Sequence, residues 1–217
     1  MQRFYLIVGH VARLELLVPQ GVKLVQLRIK DQPEAEVRRQ IARARDICAV
    51  QGAQLVVNDF WRAALDLNCS FVHLGQEDMD AADFAALRSK GVAFGLSTHD
   101  EAELERALAL DPAYVALGPV WPTILKQMKW HQQGLERVTE WKRLIGDLPL
   151  VAMDHAPPGT ELADVAGRAG HGVVAVIGLE RERWGAFEAD APSLAVGDDV
   201  VDVATGHGVR RRGSVST

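Results

Sequence analysis

Arg28 and Lys30 stand two residues apart at the end of an apolar run that begins at Val22. Side chains alternate faces along a strand, so the two cations point to the same side. Two long cations converging at the end of a buried strand repel each other unless an anion sits between them. A phosphate or diphosphate suits them, since Arg offers a planar fork and Lys a compact point charge. Two ordinary surface cations on a solvated strand end are the competing reading. Further polar clusters follow later apolar runs: Asn58-Asp59, Gly75-Gln76-Glu77-Asp78, Ser97-Thr98-His99, and Gly118-Pro119 with Thr123 and Lys126 close behind. Asn58, Asp59, Asp78 and Ser97 are also helix-capping types, and each alone fits a cap as well as a ligand.

The elements that must position these residues are short and regularly spaced. Strands are expected at Phe4 to Val8, Val22 to Arg28, Gln54 to Asn58, Phe71 to Leu74, Ala93 to Leu96, Tyr114 to Gly118, Leu150 to Met153 and Gly172 to Ile177. Their Val, Ile and Leu content without polar alternation is what parallel strands covered on both faces require. Helical spacing marks Glu34 to Gln51, Ala81 to Lys90, Glu101 to Leu110 and Leu135 to Ile145. Pro33 and Asp100 fit helix starts, and Gly52 and Gly91 fit ends. Eight strands alternating with helices point to an α/β protein, a single-domain (β/α)₈ TIM barrel. A doubly wound open sheet is the alternative, but no Gly-rich dinucleotide fingerprint follows the first strand. In a barrel, the polar clusters above all fall on the C-terminal rim where sites form. Their convergence there favours a binding site over a set of unrelated caps.

Composition narrows the class. The 217 residues are 48% hydrophobic and 24% charged, with a formal net charge of -5. That charge argues against a general nucleic-acid binder while leaving room for a local anion site. No apolar run is long enough to cross a membrane. Cys48 and Cys69 form no metal-ligand pattern and, with no signal peptide read, suggest reduced thiols in a cytoplasmic protein. The barrel domain is expected over 1–189, with 190–217 an irregular or disordered tail rich in Asp, Gly, Ser and Arg.

The pieces Gln26-Leu27-Arg28-Ile29-Lys30, Asn58-Asp59, His73-Leu74-Gly75-Gln76-Glu77-Asp78, Ser97-Thr98-His99, and Gly118-Pro119 with Thr123 and Lys126 resemble the thiamine phosphate synthase family. They occur in family order over roughly three-quarters of the chain, and it is their combination that is specific. The family fold is the (β/α)₈ barrel. The resemblance implies a Mg²⁺-using transferase that joins a hydroxymethylpyrimidine diphosphate to a thiazole phosphate and releases pyrophosphate.

Carried over residue by residue, the resemblance implies that Arg28 and Lys30 hold the diphosphate, with Leu27 before them and Ile29 between them in the same substrate-binding segment. Gln26 and Asn58 would position the pyrimidine. Asp59 and Asp78 would ligate Mg²⁺, an ion that takes oxygen ligands and bridges phosphates. Ser97 would contact the diphosphate-bearing substrate, and Lys126 would neutralise the departing pyrophosphate. Thr123, Ile124 and Leu125 belong to the loop that meets the thiazole phosphate, and Val176 and Ile177 match the end of the last family strand. The implied chemistry is a dissociative displacement, which needs positive charge at the leaving group and a dry pocket around the cation. Arg28, Lys30 and Lys126 are therefore the catalytic candidates. His73 and His99 invite a general-base reading, but such a reaction needs no strong base, and a hydrogen-bonded packing or capping role fits both.

Three departures from the family pattern stand out. Leu125 replaces a threonine that helps to hold the thiazole phosphate. Asp154-His155 replaces a Gly-Gly pair after the seventh strand, setting a side chain where close backbone approach is usual. Gly178-Leu179-Glu180 departs after the eighth. These departures keep two alternatives open: a non-catalytic binder of the pyrimidine diphosphate, and the thiazole tautomerase branch. Retention of Arg28, Lys30, Asp59 and Asp78 counts against the tautomerase. The sequence leaves open whether the chain forms a homo-oligomer.

Overall fold

The computed structural model describes residues 4–120, 133–154, 173–179, 193–196, 199–202 and 209–211. Eight strands run in parallel: β1 (Phe4–Val8), β2 (Leu24–Leu27), β3 (Gln54–Asn58), β4 (Phe71–Leu74), β5 (Ala93–Thr98), β6 (Tyr114–Leu117), β7 (Leu150–Asp154) and β8 (Val173–Leu179). Each pairs with the next in sequence order, and β8 pairs back onto β1. Helices follow the first six: α1 (Val11–Leu17), α2 (Glu34–Gln51), α3 (Trp61–Asp66), α4 (Gln76–Ala81) with α5 (Phe84–Ser89), α6 (Glu101–Leu108) and α7 (Gly134–Ile145). The segments after β7 and β8 lie outside the described residues.

The expected strands are all present, with ends shifted by at most two residues. Ala81 to Lys90 is not one helix. The chain is extended at Ala82, and the Asp83 side chain then caps α5 by accepting from the Ala86 N–H. α1, α3 and α4 were not expected, because six or seven residues give less than two turns of periodicity. Along α2, Val37, Ile41, Ala44 and Cys48 recur at the helical period and form its buried face. Gly52 ends the helix at φ 61°, a left-handed conformation that glycine takes without a Cβ penalty.

Alternation along the strands sorts the apolar residues into two cores. Outward positions such as Leu6, Val8, Val25, Leu27, Ile29, Val57, Val72, Leu74, Leu96 and Leu117 pack with the buried helix faces. Inward positions Tyr5, Leu24, Val56, Tyr114, Ala116 and Val151 fill the interior, with Ile7 and Phe71 against them. The inward stripe of β2 therefore continues from Leu24 through Gln26 toward Arg28, and that of β5 from Gly95 to Ser97.

Within 190–217, expected to be irregular, the described residues form three short strands at Ser193–Val196, Asp199–Asp202 and Val209–Arg211, paired antiparallel. The Val-rich composition of the middle strand is the local reason that an extended conformation forms there.

Candidate active site

Polar side chains gather where the inward stripes reach the C-terminal ends of β2 to β5. Gln26 and Asn58 are buried, Arg28 is partly buried and Lys30 is exposed. Lys30 Nζ donates to Asp59 Oδ2 at 2.7 Å, across from β2 to β3. Asp59 lies in the left-handed region at φ 65°, flanked by tight turns in which the Phe60 N–H donates to the Asn58 carbonyl and the Trp61 N–H to that of Asp59. A non-glycine residue held there is uncommon and, in this place, fixes the direction of its carboxylate.

Asp78 approaches Asp59 from the first turn of α4 and hydrogen-bonds to it. Burial first, then the charge of Asp59 and that hydrogen bond, push the Asp78 carboxyl above the usual carboxylate range. The Gly75 N–H and Lys30 pull the other way. Gly75 leaves the needed room, since a Cβ there would lie 3.2 Å from Asp78 Oδ2. Two carboxylates crowded together in a partly buried place repel each other, and a divalent cation relieves that repulsion. Among the described residues no group of three or more His, Cys, Asp and Glu gathers as a metal cage. A pair of carboxylates still fits Mg²⁺, which takes the rest of its shell from water and substrate phosphates.

Capping does not explain Asn58, Asp59 or Ser97. α3 starts from Phe60 with no side-chain cap, and the caps of α5 and α6 are Asp83 and Asp100. Ser97 is buried, and its Oγ lies 2.8 Å from His73 Nε2. The Ser97 carbonyl accepts from Gln76 Nε2 at 2.6 Å, tying the start of α4 to the end of β5. His99 is held through Nδ1 to Glu103 at 2.8 Å, while its carbonyl accepts from Gln133 Nε2 at 3.0 Å.

The remaining expected residues separate into three groups. Leu27 and Ile29 send their side chains into the outer core, so only their backbone faces the rim. Val176 and Ile177 lie in β8, paired in register with Met153 and Asp154 on one side and with Tyr5 and Leu6 on the other. Thr123, Ile124, Leu125 and Lys126, like His155, fall outside the described residues.

Sequence reasoning missed Tyr5 and Tyr114, whose hydroxyls meet at 3.0 Å in the interior. The signal was present in a glycine. Gly95 lies between His73 and Tyr114 in strand register, and its missing side chain lets those two rings stack across β5 at 5.6 Å between centroids.

A thiamine monophosphate synthase family model matches residues 4–179. The chain belongs to that family. Within the thiamine monophosphate synthase family, the chain is 61% identical over 150 residues to the thiamine-phosphate synthase of Rhizobium etli, covering 69% of this chain and 74% of that one. It is 39% identical over 194 residues to the protein of the same name from Citrobacter koseri, covering 88% and 90%. In fold it is similar to the thiamine phosphate pyrophosphorylase of Pyrococcus furiosus, with a TM-score of 0.67 at 24% identity over 81% of this chain and 85% of that one.

Proposed function

We propose that the chain is a thiamine-phosphate synthase, joining the pyrimidine diphosphate to a thiazole phosphate with loss of pyrophosphate. The observation that carries this reading is the cluster of Arg28, Lys30, Asp59 and Asp78 at adjoining strand ends, with Lys30 already seated on Asp59 at 2.7 Å. It supplies the charges that a leaving diphosphate demands, and family membership supplies the substrates. A tautomerase would have no use for it.

Arg28 and Lys30 take the diphosphate oxygens, and Ser97 adds a neutral hydrogen bond to the same group. Gln26 and Asn58 set the pyrimidine ring. Asp59 and Asp78 hold Mg²⁺, which when bound lowers the cost of negative charge on the departing oxygens. The exocyclic C–O bond breaks, its electron pair leaves with pyrophosphate, and the thiazole nitrogen forms the new C–N bond at the exposed carbon. Lys126 belongs with the leaving group, and Thr123, Ile124 and Leu125 with the thiazole phosphate, together with the backbone of Val176 and Ile177. No protein nucleophile or strong base is required, which agrees with a His73 that burial holds down to a pKa of about 4.

The fold completes itself as a (β/α)₈ barrel over 1–189, with 190–217 appended. Eight parallel strands with helices after six of them support this reading. The unpaired, buried thiols of Cys48 and Cys69 suit a reducing cytoplasm.

The test is formation of thiamine phosphate by purified protein given both substrates, with Mg²⁺ present or chelated. Product that appears only with Mg²⁺ is expected. Absence of product, with pyrimidine diphosphate still raising the melting temperature, would identify a half-site binder instead.

A further inference from the structure

A chain of buried hydrogen bonds runs beneath the rim and joins two of the proposed substrate contacts. Gln26 Nε2 donates to Tyr5 Oη at 3.0 Å. Tyr5 Oη lies 3.0 Å from Tyr114 Oη, and Tyr114 Oη lies 2.7 Å from His73 Nδ1. His73 Nε2 then lies 2.8 Å from Ser97 Oγ. All five residues are buried, so each hydrogen without an acceptor would carry a desolvation penalty.

With the Gln26 amide nitrogen facing Tyr5, proton counting gives the chain one direction. The Gln26 amide nitrogen can only donate, so Tyr5 Oη accepts. Tyr5 has one hydroxyl proton, and Tyr114 Oη is its partner among the described residues. Tyr114 then accepts and must spend its own proton on His73 Nδ1. His73 is buried and meets the uncharged hydroxyls of Tyr114 and Ser97 at its two ring nitrogens, so it is neutral and carries one N–H. With Nδ1 accepting, that N–H sits on Nε2 and donates to Ser97 Oγ. Running the chain backwards would strand the Tyr5 proton in the interior. Ser97 is therefore left with its own hydroxyl proton uncommitted to His73.

We propose that Tyr114 locks His73 as its Nε2–H tautomer, with Tyr5 tying Tyr114 to Gln26, and that these positioning residues so commit the Ser97 hydroxyl to donate to an anionic oxygen of the substrate. No proton moves along the chain; its work is to fix orientation. The same chain restrains Gln26 at its other end, so the pyrimidine contact and the diphosphate contact are set by one network. This assignment rests on the synthase reading for what Ser97 meets, but not for the tautomer.

The test begins with ligand-free full-length protein labelled with ¹⁵N-histidine. At neutral pH, the His73 ring nitrogens should report the Nε2–H tautomer. Tyr114→Phe, which removes the donor to Nδ1, should convert His73 to a mixture of tautomers. Tyr5→Phe should leave the tautomer in place, because Tyr114 still donates to His73. An Nδ1–H tautomer in the unmodified protein, or no change in Tyr114→Phe, would overturn the proposal. The first of these needs no variant to fold.

The second arm measures synthesis kinetics. Losing a committed donor to a charged oxygen should raise KM for the pyrimidine diphosphate roughly ten-fold in Tyr114→Phe. In a Ser97→Ala background, Tyr114→Phe should add little, because both act through one hydroxyl. Independent, multiplying losses would overturn the link to Ser97. A parent protein that binds and converts nothing, yet shows the Nε2–H tautomer, would remove the synthase reading and leave the positioning chain standing.

Discussion

Substituting Gly95 by alanine places a methyl group against the ring of Tyr114. An ideal Cβ at Gly95 lies 2.0, 2.2 and 2.4 Å from Cζ, Cε1 and Cε2 of that ring, where ordinary contact begins at 3.4 Å. The ring must retreat by about 1.4 Å to restore contact distance. It has no free direction, being stacked on His73 and Phe71 and met edge-on by Tyr5, and it is fully buried. Overpacking of this kind costs about 1–3 kcal/mol. Straining the two Tyr114 hydrogen bonds adds about 1 kcal/mol each. Loss of glycine's freedom in the unfolded chain returns about 0.4–1 kcal/mol, since Gly95 is not in the left-handed region. The expected net destabilisation is therefore about 2–5 kcal/mol, a large share of a typical domain's stability. Denaturant titration of the wild type, Gly95→Ala, Tyr114→Leu and the double variant measures it. Leucine lacks the three clashing ring atoms, so Gly95→Ala should cost under about 1 kcal/mol in the Tyr114→Leu background. Equal cost in both backgrounds would refute the argument that Gly95 exists to admit that ring.

Acid should weaken the fold through His73. Its pKa falls from 6.5 to about 4 on folding, so the unfolded chain binds more protons in that interval. The neutral buried ring is fully tolerated above pH 6.5, and about 3 kcal/mol of stability is lost as pH falls to 4. A His73→Asn variant should lack that part of the acid slope; parallel slopes would contradict it. Lys30→Ala should change stability by less than about 1 kcal/mol, because the ammonium is half exposed. The same change should cut synthesis about 10²–10³-fold, as removal of a charge-stabilising donor does. A large melting shift with activity retained would reverse that assignment.

What the sequence reveals follows how local each signal is. Strand interiors were legible because burial on both faces demands uninterrupted runs such as Leu55-Val56-Val57, and two-residue spacing alone placed Arg28 and Lys30 on one side. Asp100 was legible as a cap because its bond to Glu103 N spans three residues. Short helices were not, since α3 offers Trp61, Ala63 and Ala64 over six residues and no full period. Tyr5 and Tyr114 lie 109 positions apart, and only closure of the sheet brings their hydroxyls together. Pairing of Lys30 with Asp59 likewise depends on β2 and β3 being neighbours, while the left-handed turn that aims Asp59 leaves no mark beyond an Asp in a tolerant position.

The wall between the two cores has a consequence for how such a chain can change over time. Residues on the helix side, such as Ile41, Leu87 and Leu104, touch a different population of neighbours from Tyr5, Val56 and Tyr114. Effects of substitutions without shared neighbours tend to add rather than interact. Helices can therefore drift, swap volume among themselves and repack while the inner column keeps its spacing. Two rates of divergence can coexist in one small protein, a fast one outside the sheet and a slow one within it.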